Sequence, residues 1–295
     1  MLEKCKITGF ADEIDTQFDV QIQVLELLGQ RYLELRAADG IGVADMDMKK
    51  AAELKRKMTD RGIAVSAIGS PVGKIGIEED FEPHLELLKH IAELAQYFET
   101  PNIRMFSFYL PEEEEPEKYR NQVFERIGKM VACAKSENVK LLHENEKGIY
   151  GAMAPQCQHL FHEFYGEHFQ GVFDFANFIQ CGQDTLEAFK LLEPFVSYIH
   201  VKDAIWGSGE VVLPGEGDGQ LPYILSQMDK NNFEGYLSLE PHLFHFAGLE
   251  KLEKIPGLKK ENSSIAAYRA AYYSFEKILK PAIDSVVLNG KHKLY

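Results

Sequence analysis

The chain has 295 residues and 45% hydrophobic content, the size and apolar fraction of one large α/β domain. Its formal charge of −14 excludes a general phosphate-backbone binder, which needs clustered Lys and Arg, so no nucleic-acid partner is expected. Its four cysteines, Cys5, Cys133, Cys157 and Cys181, form no CxxC pair, which excludes a zinc knuckle or redox motif and suits reduced thiols in the cytoplasm.

Residues 1–6 carry no apolar signal core, and no stretch approaches the roughly 20 apolar residues of a membrane span, so no membrane partner is expected. Strand and helix patterns then alternate from end to end. Strand-like runs fall at 7–10, 32–36, 64–69 and 103–108, and again at 139–144, 171–174, 196–200 and 235–240. Helical periodicity fills the gaps. Residues 15–29 place Phe18, Ile22, Leu25 and Leu28 on one face. Residues 45–61 start at Asp45, a helix-capping residue, and stop at Gly62. Residues 80–98, 117–137, 155–166, 184–194 and 219–231 complete the pattern, and Pro155 suits a first helical turn. The acidic run Glu112–Glu115 reads as a solvated loop before a helix N-terminus. After the last strand come a long loop at 242–262, a helix near 263–280 and a loosely held tail at 286–295.

Eight strands alternating with helices predict parallel pairing and closure into a (β/α)8 barrel, one domain over residues 1–295 with the last helix and tail appended. The first strand runs into Gly9-Phe10-Ala11-Asp12-Glu13, which is no phosphate cradle, so a doubly wound sheet is not favoured. The last four strand-like runs end at Glu144, Asp174, His200 and Glu240. In a parallel barrel these ends share one rim. Three carboxylates in that volume repel unless a cation sits among them. A donor set of three oxygens and one nitrogen suits Mn²⁺, with Mg²⁺, Co²⁺ or Zn²⁺ as alternatives. A metal at a barrel mouth points to an enzyme.

Further candidates flank this set. Lys202 lies two residues after His200, so on a strand it points the same way, toward a substrate oxyanion or Asp174. Asp203 would orient His200 or a neighbouring group. Glu34 and Arg36 share the same two-residue spacing and read as an interior pair. Lys74 after Ser70-Pro71-Val72-Gly73, and Arg104, are candidate holders of an anionic substrate group. His143 should point away from the mouth, and His242 should reach the substrate. Tyr150 and Trp206 are candidate walls over a sugar ring, and the Gly-rich loop 206–218 is a candidate lid.

The chain resembles the sugar phosphate isomerase/epimerase group of the xylose isomerase-like barrels, which includes tagatose 3-epimerase-type, hydroxypyruvate isomerase and inosose dehydratase members. The resemblance covers nearly the whole chain. It is carried by Gly9-Phe10-Ala11-Asp12-Glu13, Glu34-Leu35-Arg36, Gly69-Ser70-Pro71-Val72-Gly73-Lys74, His143-Glu144-Asn145-Glu146, Phe173-Asp174-Phe175-Ala176-Asn177-Phe178, His200-Val201-Lys202-Asp203, Pro214-Gly215-Glu216-Gly217-Asp218-Gly219 and Leu239-Glu240-Pro241-His242. It implies a xylose isomerase-like TIM barrel with one divalent metal held by Glu144, Asp174, His200 and Glu240. It further implies a carbohydrate substrate bound through a carbonyl and a hydroxyl, with Glu144 and Glu240 exchanging a proton beside the carbonyl. The implied activity is isomerase or epimerase, with a dehydratase or other lyase on the same bases as the alternative. At Asn177 the chain departs from the 3-epimerase pattern, which carries His near that position. Related barrels often pair, which makes a homodimer an expectation of the resemblance.

Overall fold

The computed structural model describes Leu2, residues 4–243 and residues 263–280. Eight parallel strands run in chain order: β1 Lys6–Gly9, β2 Tyr32–Leu35, β3 Ala64–Gly69, β4 Asn102–Met105, β5 Lys140–Glu144, β6 Phe169–Asp174, β7 Val196–Val201 and β8 Tyr236–Leu239. Each pairs with its sequence neighbour from β2 through β8, and β8 pairs with β1 at Lys6–Tyr236 through Gly9–Leu239. Between β1 and β2 the circle closes through the bridge Phe10–Glu34.

Helices cover the outside: α1 Phe18–Leu27, α2 Met48–Thr59, α3 Glu82–Tyr97, α4 Arg120–Ser136, α5 Ala154–Phe164, α6 Phe175–Gln180, α7 Thr185–Leu192, α8 Leu221–Lys230 and α9 Ser263–Leu279. The expected boundaries hold to a few residues, with two differences. α2 starts at Met48, capped by the Asp47 side chain, which accepts from Lys50 N; residues 43–45 form a separate 3-10 turn. The short α6, directly after β6, is an addition: its apolar residues Phe175, Ala176, Phe178 and Ile179 extend the strand's buried run without a break. The loop at 242–262 and the tail at 286–295 lie outside the described residues beyond Leu243.

The two-residue period of a strand sorts side chains between lumen and helix layer. Ala67, Leu142, Val172 and Tyr198 meet as a small apolar plug inside the barrel. One step further toward the C-terminal mouth, the same strand faces carry Glu144, Asp174 and His200, with Glu240 just past β8. The alternate residues Leu141, Phe173, Ile199, Leu237 and Leu239 face the helices and join the main core. His143 falls on that outer side: it is buried, its Nε2 is 2.9 Å from Ser107 Oγ, and its ring packs near Phe161 and Phe169. α9 closes the helix layer against β1. Tyr268 lies so near Gly9 that a β-carbon there would sit 2.2 Å from its hydroxyl.

Candidate metal centre at the barrel mouth

Glu144, Asp174, His200 and Glu240 each offer one ligand atom, and all four atoms lie within 4.8 Å of one another. All four residues are buried. His200 Nδ1 faces the group, 2.9 Å from Glu144 Oε1, 3.6 Å from Glu240 Oε2 and 3.9 Å from Asp174 Oδ2. The opposite ring nitrogen, Nε2, is 3.2 Å from Glu34 Oε2. That oxygen also accepts from Ser238 Oγ at 2.6 Å and Tyr198 Oη at 3.0 Å. Tyr198 in turn lies 2.9 Å from Ser66 Oγ, itself 2.7 Å from Thr8 Oγ1. A hydroxyl layer in the lumen therefore anchors Glu34 beneath the imidazole. With Glu34 accepting from Nε2–H, a cation that displaces the proton at Nδ1 would meet the lone pair there, the arrangement usual for metal-bound histidines.

Cations surround the carboxylates. Lys202 Nζ is 3.0 Å from Asp174 Oδ2 and 3.1 Å from Glu240 Oε2. Arg104 Nη1 is 3.0 Å from Glu144 Oε2. Arg36 Nη1 is 3.1 Å from Glu240 Oε1, and its other nitrogens reach Asp12 Oδ2 at 2.8 Å and Glu13 Oε1 at 3.3 Å. His242 Nε2 is 3.3 Å from both Glu13 Oε1 and Glu240 Oε1. Phe10 supports this arrangement from below, with Arg36 over its ring at 4.3 Å and Arg104 at 5.3 Å.

The two glutamates differ from the aspartate in their electrostatics. Burial raises the Glu144 pKa, but His200 and Arg104 outweigh it and bring it to about 2. Burial likewise opposes ionisation of Glu240, yet Lys202 and His242 hold it well below the ordinary range. Asp174 is the exception: burial, then the nearby Glu144 and Glu240, raise it to about 7 despite Lys202. Asp174 Oδ2 is also buried without a well-directed hydrogen bond, although Lys202 Nζ stands close. Three buried carboxylates, an imidazole nitrogen and one under-satisfied oxygen within a few ångströms fit a hard or borderline divalent cation.

Several expectations change on the structure. Glu34 and Arg36 are not partners: Glu34 holds His200 from below, while Arg36 turns to Asp12, Glu13 and Glu240. Asp203 neither touches His200 nor lines the cavity. Its carboxylate accepts from the backbone N–H of Ala204, Gly215, Gly217 and Gly219, and so ties the glycine-rich loop to β7. Trp206 N donates to Asp218 in the same loop, and residues 203–204 pair with 211–212 as a small hairpin. Tyr150 is buried, its ring edge-on to Phe124, and forms no wall. Asn177 Nδ2 donates to Glu144 Oε1 at 3.3 Å and to the Asn145 carbonyl at 2.9 Å, so it positions the glutamate. Lys74 pairs with Glu146 at 2.7 Å. Asp12, Glu13 and Glu146 are site residues that spacing did not single out as such.

The mouth opens into a cavity of about 510 Å³ lined by Glu144 and Glu240, by Arg36, Lys74, Arg104, Lys202 and His242, and by Asn177, Gln180 and Phe106. That is the size of a small-ligand site.

A parallel eight-stranded barrel with three carboxylates and one imidazole clustered at the carboxyl ends of its strands defines the class. The chain belongs to the xylose isomerase-like TIM barrel family, whose family model matches residues 22–260. A curated relative, inosose dehydratase of Clostridium perfringens, is 26% identical over 133 residues, 39% of this chain and 45% of the relative. The chain thus spans less than half the length of the curated relatives it matches. The crystal structure of a D-tagatose 3-epimerase-like protein superposes with a TM-score of 0.73 at 13% identity, covering 95% of this chain and 99% of that one. The IOLI protein with a bound zinc atom gives a TM-score of 0.73 at 14% identity, covering 94% and 98%. At these identities the structural likeness speaks to fold alone. The described residues include no helix long and apolar enough to cross a membrane.

Proposed function

We propose that this chain moves a proton at the carbon beside the carbonyl of a sugar or sugar-derived ketone, as a divalent-metal-dependent isomerase or epimerase. One observation carries the reading: four ligand atoms converge within 4.8 Å at the base of a cavity of about 510 Å³. Glu144, Asp174, His200 and Glu240 hold the ion, Mn²⁺ by preference from the donor types. Bound there, the ion supplies Lewis acidity at the carbonyl oxygen, which makes the neighbouring C–H acidic.

Glu144 and Glu240 are the acid and base. One takes the proton from the carbon beside the carbonyl; returning it to the neighbouring carbon isomerises the sugar, whereas delivery to the opposite face of the same carbon by the other glutamate, protonated beforehand from solvent, epimerises it. Arg104 and Asn177 fix Glu144, whereas Arg36, Lys202 and His242 fix Glu240. The different surroundings let the two carboxylates take unlike roles. The unpaired thiols fit a reducing compartment, and a cytoplasmic location is part of this reading.

Dehydration is the second reading, favoured by the match to inosose dehydratase. It starts with the same proton abstraction and ends when a hydroxyl one carbon further on leaves as water. Incubation of metal-loaded protein with ketoses and keto-polyols in D₂O tests both readings. Solvent deuterium beside the carbonyl with the skeleton intact supports isomerisation or epimerisation; loss of water supports dehydration. Glu144→Gln and Glu240→Gln should each lower turnover by about 10²–10⁴-fold with circular dichroism unchanged. Full activity in either variant refutes the acid/base assignment.

A further inference from the structure

We propose that Glu146 sets the charge selectivity of the pocket: by pairing Lys74 it restricts the site to uncharged polyhydroxy substrates. This rests on the reading above that the cavity takes a small hydroxylated carbonyl compound, and it goes beyond it by excluding phosphorylated and carboxylated ones.

Among the described residues, each Lys and Arg lining the cavity already faces a carboxylate. Arg104 has Glu144, Lys202 has Asp174 and Glu240, and Arg36 has Asp12, Glu13 and Glu240. A dication together with Arg104 and Lys202 would balance Glu34, Glu144, Asp174 and Glu240, leaving no surplus at the centre. Lys74 stands apart from that cluster and is the natural place for an anionic substrate group. Its ammonium lies 2.7 Å from Glu146 Oε2 and 4.2 Å from the centre of the Phe106 ring. Both side chains of the pair are under a third exposed and both line the cavity.

The backbone holds Lys74 in that position. Gly73 has φ +88°, and a β-carbon there would sit 1.9 Å from the Phe106 carbonyl oxygen. The turn therefore presses onto β4 and places the lysine over the Phe106 ring. A phosphate or carboxylate brought to Lys74 would lie beside the Glu146 carboxylate, and like charges at that range repel. A hydroxyl meets no such barrier. The ammonium donates to it and the carboxylate accepts from it, so the ion pair suits neighbouring hydroxyls of a neutral sugar.

Calorimetric titration of the Mn²⁺-loaded protein tests this by affinity rather than by rate, using D-fructose and D-fructose 6-phosphate as matched probes. Glu146→Gln should bind the phosphorylated probe at least about tenfold more tightly than the unaltered protein, with the neutral probe changed by less than about threefold. Adding Lys74→Met to Glu146→Gln should erase that gain. Equal behaviour of the two proteins toward the phosphorylated probe, whether both bind it or neither does, overturns the proposal. So does a gain that survives Lys74→Met. Glu146→Ala serves as the second variant if Glu146→Gln folds poorly. Failure of the isomerase or dehydratase reading appears separately, in the D₂O product assay.

Discussion

At the level of single residues, Glu34 has the most informative position. It coordinates nothing in the proposed centre, yet its carboxylate fixes which nitrogen of His200 faces the other ligands. Two hydroxyl donors hold it there, Ser238 and Tyr198. Removing its charge should leave His200 in place but weaken its preference for the Nδ1 lone pair. Glu34→Gln is therefore expected to lower metal affinity by about 10–100-fold, the usual effect of losing a carboxylate behind a ligand histidine. Titration with Mn²⁺, followed by electron paramagnetic resonance, measures this directly. An unchanged dissociation constant would mean that the lumen hydroxyls, not Glu34, orient the ring.

At the level of elements, the turn after β3 links α3 to the cavity. Gly73 N donates to His84 Nε2, and His84 sits in the first turns of α3. Accepting that bond requires a neutral imidazole. Burial, with the Arg126 charge nearby, lowers the His84 pKa below its ordinary value, while Glu79 opposes the shift. The unfolded chain then binds the proton more readily than the folded one. The stability from this bond is fully present above about pH 6.5 and is lost as pH falls below it, by at most about 1.4 kcal/mol per pH unit. Urea unfolding at pH 8 and pH 5 should show a smaller loss for His84→Gln, whose amide oxygen accepts at any pH. Equal losses in the two proteins would exclude His84 as the titrating group.

The same elements show what can be read before the fold is known. Each strand that supplies a ligand is a short apolar run stopping at a carboxylate or imidazole, so period two and chain order were enough to bring Glu144, Asp174, His200 and Glu240 to one rim. Lys202 followed from its spacing to His200. Partners were not legible in this way. Arg36 meets Asp12 and Glu13 across the β1–β2 seam, and Glu146 meets Lys74 across the mouth between the loops after β3 and β5. Such contacts depend on how loops fold over the rim, which no strand period encodes. The pairings at 37–42 and 203–212 have two-residue strands, too short for any alternation to show. Asp203 misled for the same reason: its proximity to His200 in sequence says nothing about the three glycine N–H groups that the later loop returns to it.

At the level of the whole molecule, the barrel concentrates buried charge where its strands converge. Glu34, Glu144, Asp174 and Glu240 are all buried against Arg104, Lys202 and His200. Taking such groups from water is costly unless each is matched in charge and hydrogen bonding. The raised pKa of Asp174 marks where the match falls short. A cation bound only by the folded barrel would remove that deficit and stabilise the fold by mass action, about 2.7 kcal/mol at one hundred times its dissociation constant. For a domain of this size that is a rise in Tm of about 4–10 °C. Thermal unfolding after EDTA treatment, repeated with Mn²⁺, Mg²⁺, Co²⁺ or Zn²⁺ added back, should show the rise with the preferred ion. Asp174→Asn should abolish most of it. The variant removes one buried charge while keeping the shape, so when chelated it should unfold at or slightly above the Tm of the unaltered protein, and below it once the ion returns. A Tm indifferent to all four ions would mean that Arg104, Lys202 and His200 balance these carboxylates alone, and the centre would have to be read as a buried ion-pair network instead.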